Sequence, residues 1–181
     1  MSEPIELFTI GHSAHPLERF LALLGQHGVE AIADIRRFPG SKAHPHFQRE
    51  NLMVELPRAG IDYLWLEALG GRRPKLPGES LNLGLRNDAF RNYADYMATP
   101  EFQAGLDQLL ELGRRKRTAS MCAEGLFWQC HRRLVSDLLL ANGHSVRHIM
   151  PAGQVRPHTL TEGAKVEEGR VTYPAEKMLF E

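Results

Sequence analysis

Hydrophobic and polar positions alternate between two patterns along the first 150 residues. Short apolar runs have the length of buried strands and occupy residues 6–10, 30–35, 61–66, 118–122 and 145–150. Between them, apolar residues recur three and four positions apart, which predicts helices over residues 17–24, 52–59, 88–113 with a break at Thr99-Pro100, and 134–139. Strands that alternate with helices predict an α/β fold with a mostly parallel sheet of about five strands and helices on both faces.

The pattern changes after Pro151. Gly153, Gly163 and Gly169 separate short polar–apolar alternations such as GRVTY, which are typical of a β-hairpin. We therefore predict an α/β domain over residues 1–150 and a small C-terminal β appendage, residues 151–181, that packs on the same domain.

The composition is that of a soluble globular protein, with 43% hydrophobic and 24% charged residues among 181. No apolar run reaches the roughly 18 residues of a membrane helix, so we expect no membrane partner. The N-terminal residues do not resemble a secretory signal. Two cysteines in such a chain predict a cytoplasmic protein with free thiols rather than a disulfide.

Charge is balanced overall but uneven along the chain. The formal net charge is zero, which disfavours a protein that coats nucleic acid. Residues 36–49 nevertheless carry arginine, lysine and histidine without an acidic residue, and residues 114–117 read RRKR. Local recognition of an anion therefore stays open, although the RRKR run also suits the C-terminal end of a helix.

Polar residues of catalytic type follow the predicted strands. Ligands of open α/β sheets bind beyond the carboxyl ends of the strands, so these residues are expected to share one pocket. They are His12 and Ser13 after the first strand, Asp34 and Arg36 at the end of the second, Cys122 and Glu124 after the fourth, and Cys130, His131 and Arg132 at the start of the following helix.

Cys130 is the leading candidate for a nucleophile. A helix N-terminus with neighbouring His131 and Arg132 favours an anion and lowers the pKa of a thiol there; the alternative is a small buried residue. Cys122 ends an interior strand and is either a buried thiol or a second, less favoured nucleophile. Trp128 stands where a cysteine phosphatase loop would carry its arginine, so we exclude a standard enzyme of that class.

The remaining candidates each allow a structural and a catalytic interpretation. Asp34 and Arg36 lie on the same face of a strand, so Asp34 either forms a structural pair with Arg36 or acts as an acid or base. His12 follows a tight glycine as a general acid or base, or as a hydrogen-bonded structural residue. The cofactor is unknown. A metal is possible but not favoured, because the cysteine spacing matches no familiar zinc motif.

The ordered motifs TIGHS, D-x-R with P-x-S, G-I-x-Y before L-G-G, and C-A-E before C-H-R-x-L resemble domain-of-unknown-function family 488. The resemblance covers roughly residues 8–149 and implies a cytosolic α/β protein of bacterial or archaeal type, without an established reaction. One departure is the long spacer AEGLFWQ between the cysteines. Its Phe127 and Trp128 either pack inward or form an exposed stacking platform.

These patterns predict an enzyme of the transferase or hydrolase class that acts on a phosphate-bearing small molecule or nucleotide. His12, Asp34, Glu124 and Cys130 would be catalytic. The anion would be bound by Ser13, Arg36, Cys122, His131 and Arg132. Two alternatives stay open: a noncatalytic nucleic-acid-binding module that uses residues 36–49, and a structural thiol or metal site. The sequence gives no oligomeric state.

Overall fold

The computed structural model describes residues 3–176, which contain two sheets. The main sheet contains β1 (Glu6–Gly11), β2 (Ala31–Asp34), β3 (Asp62–Trp65), β4 (Thr118–Cys122), β5 (Ser145–Ile149) and β6 (Val155–Pro157). The order across it is β3-β2-β4-β1-β5-β6; β1 to β5 are parallel and β6 is antiparallel to β5. A hairpin of β7 (Lys165–Glu167) and β8 (Arg170–Thr172) forms the second sheet. The predicted α/β class, parallel sheet and C-terminal hairpin are confirmed, and β6 adds a sixth strand.

The helices connect the parallel strands. They are α1 (Leu17–Gln26), α2 (Arg49–Arg58), α3 (Asp88–Tyr96), α4 (Pro100–Arg115) and α5 (Arg132–Ala141). The predicted break at Thr99-Pro100 separates α3 from α4, and the Thr99 side chain caps α4 by accepting a hydrogen bond from the Phe102 amide. The predicted start of the last helix at Cys130 is wrong, because Cys130 has an extended backbone after a 3-10 turn at Phe127–Gln129, and α5 begins at Arg132.

Each face of the sheet carries its own hydrophobic core. On one face, α1 and α2 contribute Phe20, Leu24 and Leu52 to a cluster with Phe8 and Ile32 of the sheet. The other face packs against α3, α4 and α5 through residues that include Tyr93, Phe102, Leu109, Leu134 and Leu138. Two covered faces explain why β2 and β4 are buried along their whole length.

The carboxyl ends of the strands meet at one edge of the main sheet. Gly11 is paired with Cys122, and the His12 and Ser13 amides continue this ladder to the carbonyls of Cys122 and Ala123. Asp34 ends β2 beside Met121. Within residues 3–176, no helix combines the length and apolar character that a membrane crossing requires.

Candidate active site

A cavity of about 410 Å³ opens at this carboxyl edge. Its lining includes six predicted site residues: His12, Arg36, Cys122, Glu124, Cys130 and His131. Asp34 and Arg132 are fully buried behind the cavity wall. Asp34 is hydrogen-bonded to Arg36, and Arg132 is hydrogen-bonded to Cys130. Ser13 is half-buried beside Gly125 and is not part of the lining. The edge therefore brings together most of the predicted residues, with two charged ones in supporting positions.

The sulfur of Cys130 is surrounded by hydrogen-bond donors. The backbone amide and the Nε of Arg132 each lie 3.3 Å from its Sγ. The Sγ of Cys122 lies 3.0 Å away, and both cysteines are free and buried. The amide belongs to the first residue of α5, so the positive end of that helix also faces the sulfur. Such an arrangement stabilises a thiolate.

Arg132 is a cation without a carboxylate in contact. Its side chain is 1% exposed and donates to Cys130 Sγ, to the Thr9 hydroxyl at 3.0 Å and to the Glu124 carbonyl at 2.6 Å. Among residues 3–176, no Asp or Glu forms an ion pair with it. A buried charge requires compensation, and the group in contact that can become negative is the Cys130 thiol. The Cys130 sulfur is therefore the group placed to act as the counterion of Arg132.

The acidities of the two cysteines diverge accordingly. Burial opposes ionisation of Cys130, but the hydrogen bond from Cys122 and the charge of Arg132 outweigh it and hold its pKa well below the usual range. Burial and the hydrogen bond to Cys130 raise the pKa of Cys122 well above its usual value. The two N–H donors of Arg132 on the Cys130 sulfur thus favour a negative charge on Cys130 over one on Cys122.

A buried chain of hydrogen bonds leads from Arg132 through the sheet. Thr9 Oγ1 lies 2.6 Å from His148 Nδ1, His148 Nε2 lies 2.9 Å from His158 Nδ1, and His158 Nε2 lies 2.7 Å from Asp137 Oδ1. Asp137 also accepts hydrogen bonds from the hydroxyl of Tyr173 and the amide of Thr161. Its second oxygen is thus held by the segment after β8, far along the chain from the cysteines.

The chain of hydrogen bonds joins a donor at one end, Arg132, to an acceptor at the other, Asp137. Burial opposes ionisation of Asp137, yet the hydrogen bonds from His158, Tyr173 and Thr161 lower its pKa. Burial, together with nearby His158 and Arg132, lowers the pKa of His148 far below its ordinary value, so its ring is neutral. Thr9 accepts from Arg132, because a guanidinium can only donate, and Asp137 accepts from Nε2 of His158, because a carboxylate can only accept. Arg132 is thereby linked to a carboxylate through polarised groups.

We did not predict this chain of hydrogen bonds from the sequence. The signal was present in two places: Asp137 interrupts the apolar stripe of α5, and His148 lies in the apolar strand β5. A buried carboxylate or imidazole at such a position needs a polar partner. Its partners His158 and Tyr173 lie in the segment that we expected to be an appendage.

Arg36 forms the second buried charge cluster of the edge. Its Nε and NH2 bind the two oxygens of Asp34 at 2.8 and 2.7 Å, and its NH1 donates to the Phe47 carbonyl. The hydroxyl of Tyr63 donates to the same carboxylate. Burial and the charge of Asp34 raise the pKa of Tyr63 far above its usual value. Arg36 and Asp34 thus form the structural pair that the sequence allowed, and most donors of Arg36 are already used.

The two histidines of the cavity differ in the nitrogen that they expose to it. His12 Nδ1 bonds the Ser13 carbonyl and its Nε2 lies 3.4 Å from Arg36, while burial lowers its pKa to about 4. His131 bonds the Ile35 carbonyl through Nε2, and burial also lowers its pKa. Its Nδ1 makes no hydrogen bond within residues 3–176 and faces Gly71, another lining residue. A neutral His131 therefore offers a free lone pair to the cavity.

Glu124 contributes through its backbone as well as its side chain. The carboxylate is exposed at the cavity, whereas the carbonyl accepts from Arg132. A Cβ on Gly11 would lie 1.7 Å from this carbonyl oxygen. The glycine of TIGHS is therefore required by the close approach of the loop after β4.

The mouth of the cavity is basic and aromatic. Arg37 is half-buried beside Glu67, and exposed Arg72 forms no ion pair among residues 3–176. Phe38 is exposed, and Phe90 is half-buried. Phe127 packs inward against His148 with ring centroids 3.6 Å apart, while Trp128 is 38% exposed. Within the described range, no group of three or more His, Cys, Asp or Glu side chains is arranged to hold a metal ion.

Comparison with known families gives the same family that the ordered sequence motifs resemble. The family model "Domain of unknown function DUF488" matches residues 16–139, which is more than half of the chain. The chain belongs to this family. The match contains Asp34, Arg36, Cys122, Cys130 and Arg132, and it begins after His12. Neither a curated protein nor a solved structure matches the chain.

Proposed function

We propose that this protein is an enzyme that binds a phosphate-bearing small molecule or nucleotide and attacks it with the thiolate of Cys130. The observation that carries the proposal is the Cys130 sulfur, which accepts from two N–H groups of Arg132 and lies 3.0 Å from the sulfur of Cys122. A thiolate at a cavity wall is a nucleophile at neutral pH. The cavity volume of about 410 Å³ lies in the range of small-molecule sites.

The anion would be bound at the mouth rather than at the buried arginines. Arg36 and Arg132 are committed to Asp34 and Cys130, whereas Arg37 and Arg72 line the cavity and are more accessible. Arginine suits phosphate because its N–H groups match two oxygens at once. Phe38 and Phe90 offer ring faces to a base or another flat group.

The reaction would proceed in two steps. Cys130 Sγ forms a bond to an electrophilic centre of the bound molecule, and the leaving group departs with the bonding electron pair and takes a proton from solvent. Water then gives a proton to Nδ1 of His131, displaces the sulfur and returns Cys130 to the thiolate. An acceptor alcohol in place of water would make the same step a transfer.

The test uses a panel of nucleoside 5′-phosphates and sugar phosphates with the wild-type protein. We expect thermal stabilisation by at least one member, product formation, and a covalent adduct by intact mass. Cys130→Ala should abolish the adduct and turnover while stabilisation remains. Arg72→Met should raise KM more than it lowers kcat.

Arg115→Met provides the matched control, because Arg115 ends α4 next to the amino-terminal end of β4, at the opposite edge of the sheet. It should behave like the wild type. Absence of stabilisation by every member of the panel at low salt would overturn the phosphate site. A Cys130→Ala variant that still turns over substrate would overturn the nucleophile.

A further inference from the structure

The two cysteines are placed to react with each other. Their sulfurs lie 3.0 Å apart, and the sulfurs of a disulfide are about 2.05 Å apart, so bond formation needs an approach of about 1 Å. Cys122 ends β4, and Cys130 stands between a 3-10 turn and α5. The side chains already point at one another, and a short movement of the loop between them is sufficient.

We propose that the pair is a peroxide-reactive dithiol, in which Cys130 is oxidised first and Cys122 converts it into a reversible disulfide. The proposal shares the Cys130 thiolate with the proposed function but does not depend on a phosphate-bearing substrate. Cys130 lines the cavity, so a small hydroperoxide can reach it without unfolding of the chain.

The chemistry balances in two steps. The Cys130 thiolate attacks the terminal oxygen of a hydroperoxide; the S–O bond forms, the O–O bond breaks, and the alkoxide or hydroxide leaves and takes a proton from solvent. The Cys122 sulfur then attacks the sulfenic sulfur of Cys130. The S–S bond forms, and the hydroxyl leaves with the Cys122 proton as water.

The environment of Cys122 changes in the direction that the second step requires. Part of what raises the pKa of Cys122 is its hydrogen bond to the Cys130 sulfur. Oxidation of Cys130 removes the negative sulfur that accepts this bond, while the charge of Arg132 stays nearby. Cys122 can then ionise more readily than in the reduced protein.

Arg132 also makes the disulfide easy to reduce. In the reduced protein its buried guanidinium is compensated by the Cys130 thiolate, and a disulfide would leave it without a negative group in direct contact. A reduced form that is stabilised in this way gives an oxidising, labile disulfide. The bond is therefore suited to repeated formation and cleavage rather than to permanent cross-linking.

The experiment follows the full chain after addition of hydrogen peroxide, without any phosphate compound. We expect oxidation of Cys130 at least about tenfold faster than that of the unfolded protein in urea, loss of two hydrogens by intact mass, and recovery with a small dithiol. Cys122→Ser should stop at sulfenic acid, which dimedone traps on Cys130.

Arg132→Lys should slow the oxidation because a single ammonium cannot reproduce the donors of the guanidinium. Arg133→Lys is the matched control; that side chain lies over the Phe90 ring and should leave the rate unchanged. Oxidation of both thiols at the unfolded rate, or two sulfinic acids without a disulfide in the folded wild type, would overturn the proposal. A fast disulfide in a protein that turns over no phosphate compound would instead count against the proposed function alone.

Discussion

Two arginines are buried at the same edge of the sheet, and they are neutralised in different ways. Arg36 makes two short contacts to the carboxylate of Asp34. Arg132 contacts a sulfur, a hydroxyl and a carbonyl. The first partner is a carboxylate, whereas the second is a sulfur that can be alkylated or oxidised. The comparison separates a charge pair that holds strands from one that keeps a thiol reactive.

The largest effect is expected from the Asp34–Arg36 pair. Asp34→Asn would leave the guanidinium of Arg36 buried without its anion, which should lower the free energy of unfolding by about 3–5 kcal/mol. Urea unfolding measures it. Asp62→Asn removes an exposed pair with Lys116 and should cost about 1 kcal/mol or less. Equal costs for the two variants would contradict the structural role of Asp34.

Acidification should weaken both clusters, because each contains a histidine that the fold keeps neutral. The pKa of His12 falls from 6.5 to about 4 on folding, and that of His148 also falls. The unfolded chain therefore binds more protons than the folded chain below pH 6.5. This contribution is complete above pH 6.5 and is lost as pH decreases, by about 3 kcal/mol for His12 near pH 4.

Unfolding free energies measured between pH 7 and pH 4 check this. His12→Gln, on the Arg36 side, should remove part of the slope and leave the contribution of His148 in place. A stability that does not change over this interval would show that neither histidine is neutral in the fold.

Loss of the Arg132–Cys130 pair should change the pKa of Cys130 more than it changes the free energy of unfolding. Arg132→Met removes the cation that stabilises the thiolate, so we expect the pKa of Cys130, and with it the midpoint of the alkylation profile, to rise by at least about one unit. The rate of iodoacetamide alkylation against pH measures it, with Cys122→Ser to isolate Cys130. Arg133→Met should leave the profile unchanged. An unaltered profile in Arg132→Met would remove Arg132 as the counterion.

The smallest effect concerns the distant end of the hydrogen-bond chain. Tyr173→Phe removes one donor to Asp137, which keeps those of His158 and Thr161. We expect a loss of about 1 kcal/mol in unfolding free energy and a change in Cys130 acidity smaller than that of Arg132→Met. A larger change in the pKa of Cys130 than in Arg132→Met would contradict the proposal that Arg132 affects this pKa more than Tyr173 does.

Much of the fold followed from periodicity, because apolar runs and helical spacing record which faces are buried. The convergence of His12, Arg36, Cys122 and Cys130 followed from their places after predicted parallel strands and at the start of a helix, because the carboxyl ends of such strands meet at one edge of the sheet. What the sequence could not supply was the partner of each charge. Asp34–Arg36 is a local pair at the end of β2, whereas Arg132 with Thr9 and His158 with Asp137 join residues that are distant along the chain. The free nitrogen of His131 likewise depends on a contact with Ile35 across 96 positions.

β1 lies between β4 and β5, so it is an interior strand of the main sheet that any shortened version of this protein must keep. The family match, residues 16–139, excludes β1 and β5, and with them Thr9, His148, His158 and Tyr173. A fragment trimmed to the matched range would lack an interior strand and would expose the edge of β4. The segment that contains the whole site is therefore longer than the range matched by the family model, and truncated versions of the protein should keep residues 5–173.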